Sequence, residues 1–490
     1  MRAPCVVFVL TLLLTACALG PRFRAPPPPR AVDYGEAPTH GPTASSDAPD
    51  GAAQRFVPGA EVPADWWTRF GSASLDALEA RARRNNPNVA AAQAALREAN
   101  ELYKAQRATL FPALQGSFSA QRARNALLTL ANPTSLPQQD PYYNLFTAQL
   151  SVSYLLDVWG GSRRAVESAG AQAEATRFQL EATYLTLASN VAVTAVQEAS
   201  LRAQIEATER LLEIQTRLTH TVAQQRSLGG ASELDLLTQQ AAEAQTAALL
   251  PPLRKQLAQT RDALAALAGE LPSSGPAERF RLEELTLPTD LPVSVPAHLI
   301  EQRPDVRQAL ANLHVASAQV GVAIADMLPQ FELNGTLGSS SLALRQLFTS
   351  YTGFWSAGAT LTQTLFDAGA LLHRKRAADA ALDQAGAQYR AAVLLACQNV
   401  ADTLHALDTD ADALVAASQA ERTGQQAFEI ARQQRQLGGL SQVAVLNAEQ
   451  TYQQAVLNLI QARANRYADT IALFQALGGG WWQREQGDKG

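Results

Sequence analysis

The chain has 490 residues, 47% of them hydrophobic and 17% charged, with a formal net charge of −5. So few charges exclude a disordered polyampholyte, and the weakly acidic balance excludes a nucleic-acid binder, which needs a basic face. Beyond the first residues no run approaches the ~18 apolar residues of a transmembrane helix; a β-barrel, whose trace is far weaker, is not excluded.

The amino terminus carries Arg2 and then an apolar run from Val6 to Leu14, the pattern of a secretory signal peptide. It ends in Leu14-Thr15-Ala16-Cys17, which has the form of a bacterial lipobox. Cleavage before Cys17 would remove Cys5 and leave Cys17 to be acylated. Cys397 is then alone, with no partner for an internal disulfide, and is expected to act as a small buried apolar side chain. Ala18 follows the Cys, in place of the Asp associated with inner-membrane retention, so sorting to the outer membrane is expected. Residues 17–64, with Pro26 to Pro29 and many Gly, Ala and Ser, have the composition of an extended tether. Regular structure is expected to begin at Asp65-Trp66-Trp67.

The rest of the chain is an internal duplication. Asn86-Pro87-Asn88-Val89 matches Arg303-Pro304-Asp305-Val306, and Phe111-Pro112 matches Leu328-Pro329, both at an offset of 217. Further on, Asn190-Val191-Ala192 matches Asn399-Val400-Ala401, and Arg226-x-x-Gly229 matches Arg435-x-x-Gly438, both at 209. Two long copies differ from a solenoid, whose repeats are shorter and more numerous. Residues 65–272 form the first repeat, 273–295 a linker, 296–480 the second repeat and 481–490 a tail.

Each repeat opens with a helical pattern, Leu75 to about Thr109 and Pro296 to about Met327, each stopped by a Pro. Two strand-like stretches follow in each. In the first copy Phe146, Ala148, Leu150, Val152 and Tyr154 alternate with Thr147, Gln149, Ser151 and Ser153. In the second, Phe331, Leu333 and Leu337 alternate with Glu332, Asn334 and Thr336. Such period-two runs fit a transmembrane β-strand between lipid and lumen, and also fit a half-buried strand of a soluble sheet. Crowding of Tyr142, Tyr143, Phe146, Phe348, Tyr351, Phe354 and Trp355 at the strand ends favours the membrane.

Next in the first copy comes a stretch from Ala171 to Leu228 without Gly or Pro, a helix too long for a globular domain. It requires lateral packing in a coiled coil or α-barrel. Gly229 supplies a left-handed cap, and Ser232 with Asp235 forms a capping box for a returning helix. Gly438 and Ser441 repeat the turn, with Ala444 in place of the acid. Pro251-Pro252 is expected to break or kink the first returning helix. Four strands cannot close a barrel, so closure demands an oligomer: two chains would supply eight strands and three would supply twelve.

The chain resembles the TolC-like outer-membrane efflux proteins, in the lipoprotein (NodT-type) branch that serves tripartite efflux systems. The resemblance spans nearly the whole mature chain. It is carried by Cys17-Ala18-Leu19-Gly20-Pro21, Trp66-Trp67, Asn86-Pro87 and Leu299-Ile300-Glu301-Gln302-Arg303-Pro304-Asp305-Val306. Gln319-Val320-Gly321-Val322-Ala323, Leu365-Phe366-Asp367-Ala368-Gly369 and Ala476-Leu477-Gly478-Gly479-Gly480-Trp481 complete it. It implies an α+β membrane protein, a homotrimer whose 12-stranded β-barrel continues into a periplasmic α-helical barrel of coiled-coil hairpins. It implies a lipid anchor at Cys17 in the outer membrane, a periplasmic adaptor protein and a proton-driven inner-membrane transporter as partners, and passive conduction of small toxic compounds. A one-step protein secretion channel is the alternative function, and a lipid-anchored scaffold without a pore a third. The turns carrying Arg226, Gly229, Ser232, Arg435, Gly438 and Ser441 would be the periplasmic tips where the adaptor docks. Val443, Asn447 and Gln450 would line the closed aperture, with Asp235 the nearest acid, because Asn447 stands where an Asp is frequent.

Catalytic or metal chemistry is not expected. His40, His220, His298, His314, His373 and His405 lack ligand spacing. Asp408-Thr409-Asp410-Ala411-Asp412 lacks the Gly and bidentate Glu of a calcium loop. No Gly-rich phosphate loop or nucleophile elbow is present, so no enzyme activity, cofactor or metal is expected.

Overall fold

A computed structural model of the chain describes residues 19–28, 33–34, 41–124, 142–273 and 275–483. The expected signal peptide, Cys17 and residues 484–490 of the expected tail lie outside the described residues. The helical patterns resolve into β1 (Arg55–Pro58), α1 (Ala73–Asn85), α2 (Pro87–Ala108), β2 (Ala113–Arg124), β3 (Tyr142–Leu156), α3 (Gly161–Ser227) and α4 (Glu233–Leu267). The second copy supplies β4 (Asp290–Val293), α5 (Pro296–Gln302), α6 (Pro304–Ala325), β5 (Gln330–Ser341), β6 (Gly353–Thr362), α7 (Ala370–Gln436) and α8 (Gln442–Ala476). The duplication is therefore structural: α3 and α7 have 67 residues each, and α4 and α8 have 35 each. At 1.5 Å per residue α3 and α7 are each about 100 Å long. Among the described residues no helix is long and apolar enough to cross a membrane.

Three expectations need correction. The opening helix of each repeat is two helices, divided at Asn86-Pro87 and Arg303-Pro304. A proline ring forces the preceding residue out of the helical region, and Asn86 and Arg303 accordingly sit at ψ 123° and 124°. Pro251 and Pro252 do not break α4, which runs through both. Regular structure also begins before Asp65: β1 pairs in parallel with β4, and Pro42 bridges Arg55.

The chain divides into two compact units. The first comprises residues 1–25, 97–175 and 310–388. Its centre is an antiparallel sheet in the order β2-β3-β5-β6. Pairing of Phe118 with Ala148, Leu150 with Leu337 and Leu337 with Trp355 fixes which residues share a face. One face carries Leu114, Phe118, Leu150, Val152, Leu333, Leu337, Trp355 and Leu361, all more than two-fifths exposed. The other carries Ser117, Gln149, Ser151, Asn334 and Thr360. A sheet with a wet face and an equally exposed apolar face has no soluble solution, so the second face belongs to lipid. Each repeat then turns from strand to helix on an aspartate. Asp157 accepts the Ser162 and Arg163 amides at 2.9 and 3.0 Å, and Asp367 accepts those of Gly369 and Leu371 at 2.9 and 2.7 Å.

The second unit comprises residues 26–96, 176–309 and 389–490. Its core stacks Trp66 on Phe474 at 5.4 Å and sets Phe178 edge-on to Trp481 at 5.6 Å. The segment before Trp66 is part of this core. Gln54, fully buried, donates to the Pro288 carbonyl and to Thr470, while Asp50 accepts from Arg463 and Tyr467 at 2.8 and 2.7 Å. Cys397 is half-buried, and burial pushes its thiol up.

Candidate functional site

The far ends of the two helical hairpins lie in the second unit and are built from the same local rules. The Gly230 amide reaches back to the Gln225 carbonyl at 2.7 Å and the Gly439 amide to Gln434 at 2.9 Å. This closes each long helix, with Gly229 at φ 80° and Gly438 at φ 78° in the left-handed region that a side chain resists. Ser232 then caps α4 in a complete box. Its hydroxyl accepts the Asp235 amide at 3.1 Å, and the Asp235 carboxylate accepts the Ser232 amide at 3.0 Å. These bonds, with the Arg435 charge, hold the Asp235 carboxyl below the usual carboxylate range. Ser441 caps α8 through the Ala444 amide alone, at 3.3 Å. Arg226 forms an ion pair with Glu233 across its own turn.

The two turns are tied together. Gln442, buried at the start of α8, donates to Gln239 of α4 at 2.8 Å, and Arg435 donates to Gln442 at 3.4 Å. Leu228 and Leu437, the residues before the two turn glycines, are 86% and 87% exposed. The Arg-x-x-Gly pattern alone does not single them out.

Helix α8 has two faces here. Val443, Asn447 and Gln450 form an exposed stripe, whereas Gln442, Val445 and Glu449 turn inward. Val445 packs with Phe428, Ala431, Ile214 and Tyr452. Glu449, missing from the sequence expectation, is fully buried in the chain, and neither carboxylate oxygen has a hydrogen-bonding donor. Burial pushes its pKa up to about 7; the neighbouring Gln215 of α3 opposes this only in part. The Gln215 amide oxygen is buried without a partner too. A carboxyl buried in this way is favoured in its neutral, protonated form. The spacing 442, 445, 449 on a helical period was the available signal, since it puts an acid in the inward register.

The structure thus brings Asp235, Ser232, Arg435 and Gln442 to one end of the hairpins, with Val443 and Asn447 beside them. Cys17 itself lies outside the described residues.

A family model for "Outer membrane efflux protein" matches residues 78–270 and 295–479, the two halves of the duplication. The chain is 30% identical over 417 residues to the pyoverdine export outer membrane protein OpmQ of Pseudomonas putida, covering 85% of this chain and 88% of that one. It is 26% identical to the antibiotic efflux pump outer membrane protein ArpC of Pseudomonas putida, covering 97% and 95%. The solved outer-membrane channel OprN superposes with a TM-score of 0.84 at 26% identity, over 95% of this chain and all of that one. With its duplicated hairpins, its two-faced sheet and a family match across both repeats, this chain belongs to the outer membrane efflux protein family and is the outer-membrane channel of an efflux system.

Proposed function

We propose that three copies of the chain join their sheets into a 12-stranded barrel and act as the passive exit duct of a tripartite pump for small toxic compounds. The observation that carries this is the sheet itself: four strands, one apolar and one polar face, and outer edges β2 and β6 that find no partner among the described residues. Unpaired edges are untenable in lipid, and about eight strands are the minimum for a closed barrel. Export of small molecules is favoured over protein secretion by the likeness to OpmQ, a pyoverdine export protein, and ArpC, an antibiotic efflux protein. Loss of the gene should raise sensitivity to toxic compounds and leave protein secretion intact. Unchanged sensitivity to every compound tested would overturn the reading, as would a folded oligomer that conducts no ions in planar bilayers.

In this reading the exposed Leu228 and Leu437, with Arg226, Gly229, Arg435 and Gly438, form the docking surface for the periplasmic adaptor, behind which the inner-membrane transporter supplies the energy. Val443, Asn447 and Gln450 line the aperture, and Asn447→Gly should raise single-channel conductance; an unchanged value would place the constriction elsewhere.

Cys17 is the lipid anchor. Support comes from residues just after it, which are clamped to the first unit. The Leu19 amide donates to the Trp159 carbonyl at 3.2 Å, and Arg164 donates to the Leu19 carbonyl at 3.1 Å. Gly20 lies so close to Gly321 that a Cβ on it would stand 2.6 Å from the Gly321 Cα. Phe23 stacks on His314 at 4.2 Å. Trp159 lies three residues beyond the end of β3, so the described chain just after Cys17 is fastened near the sheet. Cys17→Ser should abolish incorporation of radiolabelled fatty acid; label persisting in the variant refutes the site.

A further inference from the structure

We propose that the outward face of the sheet, at the end remote from the helices, binds the phosphate groups of a phosphorylated glycolipid of the outer leaflet through Arg122 and Arg124. The strand register makes the case. On β2 the apolar face runs Leu114, Gly116, Phe118, Ala120, and continuing the same alternation the next two residues on that face are Arg122 and Arg124. Their partners on β3 are Asn144 and Tyr142, which stand on the same face.

Arg122 lies eight positions beyond Leu114. That is on the order of 27 Å of strand, and about 21 Å of depth at the usual tilt, close to the height of a barrel's apolar band. The arginines therefore stand at the level of the lipid headgroups. A cation there costs little, and its stem can lie along the apolar band while the guanidinium reaches polar groups.

Charge supports the same occupant. The chain is acidic as a whole, yet residues 119–124, 142–147 and 338–356, the described residues of this end, contain Arg122, Arg124 and Arg345 and no acid. Arg122, Arg124, Asn144 and Tyr142 are all exposed, and the Arg124 guanidinium lies 5.4 Å from the centre of the Tyr142 ring. This fixes a planar, bidentate donor beside a phenol and an amide, a set suited to phosphate oxygens. The outer leaflet of a Gram-negative outer membrane presents such phosphates at high density.

The inference rests on the sheet spanning the outer membrane, so the test carries a separate readout for that. Full-length oligomer in neutral detergent is mixed with bisphosphorylated lipid A, or with the same lipid after its phosphates are removed, and bound lipid is counted by native mass spectrometry. The wild type should retain the phosphorylated form about tenfold more strongly. Arg122→Gln with Arg124→Gln should lower retention to the dephosphorylated level, and Arg122→Lys with Arg124→Lys should keep most of it. If the double Gln variant loses its oligomer, Arg122→Gln alone is read in its place. Equal retention of the two lipids, or unchanged retention by the Gln variant, overturns the proposal. So does release by inorganic phosphate at matched ionic strength, which would assign the site to the free ion. Conductance of the same preparation keeps the failures apart: channels without phosphate-dependent retention sink this inference only, and no channels sink the membrane-spanning sheet.

Discussion

Glu449 has a carboxyl group that burial favours keeping neutral, at a point where α8 leaves the turn and packs against α3. Its folded pKa, about 7, lies above the ordinary 4.5, so between those values the folded chain holds a proton that the unfolded chain has released. The stability from this group is complete below the ordinary pKa and is lost as pH rises toward about 7. An isosteric amide keeps the shape and has no charge to bury at any pH. Glu449→Gln should therefore raise stability by on the order of 2 kcal/mol per chain above neutral pH and do little in mild acid. Thermal unfolding at several pH values checks this; an equal pH slope in variant and wild type would sink it. Val443, Asn447 and Gln450, which the family resemblance singles out, do fall on one exposed stripe of α8. Glu449 was not legible, because attention to the exposed register passes over an acid in the buried one.

The two turns share geometry but not chemistry, and that asymmetry is a property of the elements. In α4 the Ser232–Asp235 box satisfies two amides, whereas in α8 Ser441 satisfies one. Removing the serine hydroxyl at α4 also strips its bond to the Asp235 carboxylate, leaving that carboxylate only the backbone amide of residue 232. Ser232→Ala should cost about 1 kcal/mol of local stability and Ser441→Ala less. Amide exchange in the first turns of α4 and α8 measures both, and equal acceleration would contradict the asymmetry. The Arg-x-x-Gly and Ser-x-x-Asp patterns made these turns readable, because capping is decided by three or four adjacent residues. Pro251-Pro252 misled for the opposite reason. Both prolines are exposed, so the Ala247 and Ala248 carbonyls that lose their donors can turn to water, while the buried Leu250 holds the helix in place. The segment around Asp50 and Gln54 was opaque to local composition, since its partners Arg463, Arg466 and Tyr467 lie more than four hundred residues away.

At the scale of the whole molecule, the polar face of the sheet sets the character of the barrel's lining. In strand order it presents Gln, Ser, Thr and Asn, with Gly, Ala and a few apolar residues toward its ends, and Glu332 is its one charged residue among those described. Glu332 stands opposite Leu155 and Thr360, near the end of the sheet from which the helices leave. In a closed trimer three such carboxyl groups form a ring around an otherwise neutral lumen. A neutral, hydroxyl-rich lining offers no strong site for any one solute, which suits the passive duct proposed above. The ring biases ions only weakly, because a wide water-filled pore screens charges within about 8 Å at physiological salt. The wild-type channel should favour cations modestly, and Glu332→Lys should reverse the sign by placing three positive charges at the same level. Reversal potentials across a salt gradient in planar bilayers read this directly. If the variant keeps the wild-type sign, the polar face does not line the conducting path, and the assignment of the sheet's two faces to lumen and lipid fails with it.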